Sequence, residues 1–62
     1  MQKRLIGVKE AAVYLGVEVS TVYSWVNKRF IPHFKIGRLV KFDVARIEDW
    51  IDKRSVDEYE AN

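Results

Sequence analysis

VKEAAVYLGVEVSTVYSWV, residues 8–26, holds two helical periods with a single glycine between them. Val8, Ala11, Ala12 and Leu15 recur at i, i+3, i+4 and i+7, which puts them on one stripe of a helix. Gly16 stands where that helix must end, and glycine enters the left-handed region without a Cβ penalty. Val17 is expected to plug the turn. A second apolar set, Val22, Trp25 and Val26, follows at once. Ala11 and Ala12 are small enough for two helices to cross closely. The spacing predicts a helix over 8–15, a tight turn and a second helix over 19–29, a helix-turn-helix.

Working outward, Met1–Ile6 is a short basic lead-in, with Leu5 and Ile6 expected to pack under the first helix. Gly7 takes the N-cap position, and Glu10 favours the positive end of that helix. After the second helix, Pro32 forbids helical continuation. His33–Ile36 and Leu39–Phe42 then read as two short strands joined by Gly37 and Arg38, a β-hairpin. Alternation is expected to leave Lys35, Arg38 and Lys41 toward solvent, while Phe34, Ile36, Val40 and Phe42 compete for the core. Asp43 caps a third helix whose apolar set is Val44, Ile47, Trp50 and Ile51. The expected fold is mostly α with a small β-hairpin: helix-turn-helix, two-stranded wing, third helix. Residues 1–54 form the domain, and 55–62 are expected to be a flexible acidic tail.

Composition narrows the function. Sixty-two residues, 48% hydrophobic, suffice for one compact core and leave little for a substrate pocket. There is no cysteine, so neither disulfides nor a thiolate metal site are available. The single histidine, His33, has no second ligand of its kind; it reads as a strand residue or a phosphate contact. No apolar run approaches membrane-spanning length, and no signal peptide is evident, so a cytoplasmic protein is expected. The charge is divided: residues 1–42 carry +6 and residues 43–62 carry −4, within a net charge of +2. A basic body with an acidic end is the pattern of a polyanion-binding face backed by a solvated side.

In a helix-turn-helix the second helix enters the DNA major groove, and its N-terminal residues meet the bases. Ser20, Thr21 and Ser24 are therefore candidates for base edges, and Asn27 for a bidentate pair with adenine. Tyr23, with its hydroxyl carried sideways on a long stem, is a candidate phosphate contact. Lys28 and Arg29 are backbone anchors, which add affinity without sequence information. Arg38 at the hairpin tip can reach the adjacent minor groove, with Lys35 and Lys41 beside it on phosphates. Lys9 adds charge next to the N–H groups opening the first helix. Asp43, Glu48, Asp49 and Asp52 read as a cap and the wet face of the third helix rather than as a metal or acid–base site. Asp49 and Lys53 are an i, i+4 pair.

The segments VKEAAVYLGV at 8–17, STVYSWV at 20–26, IPHFKIGR at 31–38 and FDVARIEDWI at 42–51 carry a resemblance. They resemble the excisionase-type, single-domain branch of the MerR-like winged helix-turn-helix proteins. That resemblance implies sequence-specific binding of double-stranded DNA, a wing arginine at Arg38, no catalysis and no cofactor. It points to a phage- or bacterium-encoded factor that shapes DNA for a recombinase, with a small MerR-like transcription regulator as the alternative. Either would be a monomer in solution binding adjacent sites cooperatively, with an integrase or further copies as partners and no small-molecule ligand. A protein-interaction module is a third reading. A long dimerisation helix is not expected after Arg54. Glu18 departs from the pattern, where Ser or another small polar residue is common. Ser20 caps the second helix in its stead, or Glu18 accepts from a cytosine, or it only tunes charge.

Overall fold

The computed structural model describes residues 4–55, in the order β1 (Leu5–Ile6), α1 (Val8–Leu15), α2 (Val19–Asn27), β2 (Phe34–Ile36), β3 (Leu39–Asp43) and α3 (Val44–Lys53). The acidic segment expected as a tail lies, beyond Ser55, outside the described residues. The three helices and the hairpin agree with the expected winged helix-turn-helix arrangement.

Both helix–turn junctions close by the same device. After α1, Gly16 sits at φ 71° and donates to the Val13 carbonyl, while Val17 N–H donates to Ala12 at 3.0 Å. After α2, Arg29 sits at φ 57° and donates to Val26, while Phe30 N–H donates to Trp25 at 2.8 Å. These are Schellman closures, and each places an apolar residue just past the left-handed one. Val17 packs against the core and Phe30 meets the Trp25 ring edge-on, 5.5 Å between centroids. This corrects the expected span of α2: the helix ends at Asn27, two residues early. Arg29 lies outside the helix and is exposed.

α1 begins at Gly7, whose N–H donates to Glu10 Oε1 at 3.2 Å. Glu18 is the N-cap of α2, but its side chain makes no cap hydrogen bond; its backbone carbonyl accepts from Thr21 and Val22. Ser20 therefore lies inside the helix and does not cap it. Asp43 does cap α3, accepting from Ala45 N–H at 3.1 Å.

The wing is part of a three-stranded antiparallel sheet, in the order β1-β3-β2. β1 was not expected as a strand, since two residues are too few to show alternation. Its pairing sets Ile6 opposite Phe42 on the core side and turns Leu5 outward, so of the pair only Ile6 is buried. The hairpin register pairs Phe34 with Lys41, Lys35 with Val40 and Ile36 with Leu39. Paired residues share a face and neighbours along a strand do not. Phe34 and Ile36 thus lie on the opposite face from Val40 and Phe42, and the second pair takes the core side. Phe42 is fully buried and Val40 partly. Phe34 packs instead under the Arg46 guanidinium, 5.3 Å from the ring centroid, and Ile36 is 54% exposed.

The core is Ile6, Ala11, Ala12, Val22, Val26, Ile31, Phe42 and Ile47, drawn from every layer. Side chains the size of Val22, Phe42 and Ile47, fully buried, each contribute about 1.5–3 kcal/mol. Val44 and Trp50 pack at its edge, whereas Ile51, in the last turn of α3, is exposed. Trp25, Phe30 and Trp50 form a second cluster with centroids 5.4–5.7 Å apart. Trp50 Nε1 donates to the Phe30 carbonyl at 2.9 Å, and Arg54 covers the Phe30 and Trp50 rings. α3 is thereby fastened to the end of α2. At the other end Tyr14 donates to Glu48 at 2.9 Å and ties α1 to α3. The carboxylate that accepts its proton, with a smaller effect of burial, holds the Tyr14 hydroxyl above its ordinary range.

Candidate nucleic-acid interface

α2 turns Val22 and Val26 inward, and at 100° per residue the opposite arc is centred on Ser20, Ser24 and Asn27, with Tyr23 at one margin and Thr21 and Lys28 toward the other. Ser20 and Asn27 are exposed and Ser24 partly so. Tyr23, 50% exposed, stands at the wing-side margin of this arc and not in the core. Thr21 and Lys28 fall on the flank nearer Trp25, and Lys28 lines a shallow depression with Trp25, Arg29 and Phe30.

The hairpin stands beside this arc. Gly37 has φ 62° while Arg38 keeps a negative φ, the pattern of a two-residue type II′ turn. That turn puts the Arg38 side chain at the tip, exposed. Between the start of α1, Tyr23 and the wing lies a concavity of about 330 Å³. Its lining includes Lys9, Tyr23, Arg38 and Lys41, with Glu10 as the acidic member. Lys41 reaches back across it, so that a Cβ on Gly7 would stand 3.8 Å from its Nζ.

A second concavity, of about 430 Å³, opens between the end of α2 and the start of β2, and Asn27, Arg29, His33 and Lys35 line it. The structure thus divides the residues singled out from sequence into groups. Lys9, Tyr23, Arg38 and Lys41 meet on one side of the wing, and Asn27, Arg29 and Lys35 meet on the other. Ser20, Thr21 and Ser24 line neither hollow, and Lys28 stands apart. The hairpin register explains the division, since Lys35 and Lys41 project from opposite faces. Sequence spacing alone missed it because both lysines looked equally solvent-facing. Val8 and Leu39 also contribute apolar walls to the first concavity, and Leu39 is 59% exposed beside Arg38.

Two packed helices, a left-handed glycine in the turn and a cationic hairpin beside the second helix define the motif. A family model for the helix-turn-helix domain matches residues 5–55. The chain belongs to this family. It is a helix-turn-helix DNA-binding protein, and the match runs from β1 to just past α3. Neither the curated proteins nor the solved structures yield a match. Among the described residues no helix is long and apolar enough to cross a membrane.

Proposed function

We propose that the protein binds duplex DNA sequence-specifically, with α2 in the major groove and the wing at the adjacent minor groove. One observation carries this reading: the convergence of Lys9, Tyr23, Arg38 and Lys41 beside the outward arc of α2. In this arrangement Ser20, Thr21 and Ser24 meet base edges and Asn27 pairs with adenine. Arg38 enters the minor groove, where a narrow A·T tract concentrates negative potential. Tyr23, Lys9, Lys28, Arg29, Lys35 and Lys41 hold phosphates and fix the register without reading sequence. No catalytic step and no cofactor is assigned to any of them.

Within that class the excisionase-type role, shaping DNA for a recombinase, is supported by the segments at 8–17, 20–26, 31–38 and 42–51. A small transcription regulator shares the same binding chemistry. Integrase contact and side-by-side binding of further copies belong to the first role. Selection of binding sites from a random duplex pool, followed by a bending assay on the selected site, tests both levels. An enriched motif with a bent duplex supports the architectural role. An enriched motif on straight DNA favours the regulator, and no enrichment refutes sequence-specific binding.

A further inference from the structure

The concavity between the end of α2 and the start of β2 holds the chain's single imidazole. His33 is half-buried, and its Nδ1 donates to the Ile31 carbonyl at 2.8 Å. A carbonyl can only accept, so the proton of a neutral ring sits on Nδ1 and Nε2 is left as a bare acceptor. Arg29 faces the ring's concavity from the end of α2, and Lys35 faces it from β2. Asn27 adds a neutral amide. Neither a carboxylate nor any residue of α3 is among the lining residues.

We propose that this hollow seats a backbone phosphate of the bound duplex and that His33 makes its occupation proton-linked. The proposal rests on the duplex-binding reading above and assigns His33 a part in it. A bare Nε2 presents a lone pair to a phosphate oxygen and repels it. Once protonated, the same atom donates a charge-assisted hydrogen bond. A phosphate seated among Arg29, Lys35 and the ring favours the charged imidazole. The duplex therefore binds together with a proton, and affinity rises as pH falls. Arg29 supplies charge at a left-handed position that a residue with a Cβ rarely adopts, which places its side chain at the rim of this hollow.

The test uses a fluorescently labelled mixed-sequence duplex at constant ionic strength, since phosphate contacts are indifferent to sequence. Wild type is expected to bind roughly fivefold tighter at about pH 6 than at about pH 8. His33→Gln should lose that gain, its affinity no longer rising between about pH 8 and about pH 6. In parallel, the imidazole proton signals of the wild type, unambiguous in a chain with one histidine, are titrated with and without saturating duplex. The protonation midpoint should move to higher pH in the complex, a readout that depends on no variant folding. Equal pH responses in wild type and His33→Gln, or an unmoved midpoint, overturn the proposal while leaving duplex binding intact. Absence of binding by wild type at every pH refutes the duplex-binding reading, and the proposal falls with it.

Discussion

Arg29→Gly separates what this residue does for the fold from what it does for binding. Arg29 is held at φ 57°, in the left-handed region, as the residue that closes α2. For a residue with a Cβ that conformation costs about 1–2 kcal/mol. Glycine removes the cost but loosens the unfolded chain, which returns roughly 0.5–1 kcal/mol. Arg29 is exposed, so no packing is lost with its side chain. The balance is a stabilisation centred on about 0.75 kcal/mol within a range of about 0–1.5, or roughly 3–6 °C in Tm at its centre for a domain this small. In DNA binding the sign reverses. Losing one phosphate contact should weaken binding uniformly across sequences and reduce the log–log salt slope by about 1. Thermal unfolding followed by circular dichroism and anisotropy titrations at several salt concentrations read the two effects. A variant less stable than wild type would refute the strained-closure argument, and an unaltered salt slope would remove Arg29 from the interface.

Other perturbations address the wing, the electrostatics and the core. Arg38→Ala should cost about 1–3 kcal/mol of affinity, most on sites flanked by A·T tracts, and an unchanged Kd would take the wing out of the complex. Duplex affinity of the wild type should fall with salt along a log–log slope of roughly −3 to −6, as a handful of neutralised phosphates demands; a flat titration contradicts it. Phe42→Ala empties the centre of a core in which that ring is fully buried. Its cost of about 3–5 kcal/mol is most of what a domain of this length has, so the variant should be largely unfolded by denaturant titration. The raised Tyr14 hydroxyl is protonated in its bond to Glu48. Its stabilisation is present below the ordinary tyrosine range and lost as pH rises through the higher folded-state value. Tyr14→Phe should erase that alkaline limb of the stability profile, and a limb retained in the variant would assign it elsewhere.

The helix-turn-helix was readable because each residue's local preference agreed with its packing. The stripe from Val8 to Leu15 and Gly16 after it could serve one structure only, and α1 has the expected bounds. The end of α2 was not readable, since nothing in Lys28-Arg29 announces a left-handed residue that is not glycine. There the closure is decided by tertiary contacts, Phe30 docking on Trp25 and Trp50. β1 escaped for a similar reason: Leu5-Ile6 is a strand only because Phe42 and Asp43 offer it an edge. In the candidate interface the residue types were legible but their grouping was not. Which side of the hairpin each lysine takes depends on register, and the two-residue turn at Gly37-Arg38 sets that register only once both strands are placed. His33 was noticed as the single imidazole; its bond to Ile31 and its cationic neighbours needed coordinates.

In the proposed complex the outward arc of α2 and the wing grip one duplex together. Backbone amide shifts recorded as duplex DNA is added test it most directly. The largest changes are expected at Ser20, Tyr23, Asn27, Gly37, Arg38 and Lys41, with Glu48, Asp49 and Asp52 on α3 unmoved. Changes centred on that carboxylate-bearing face, or confined to α2 with the wing silent, would contradict it.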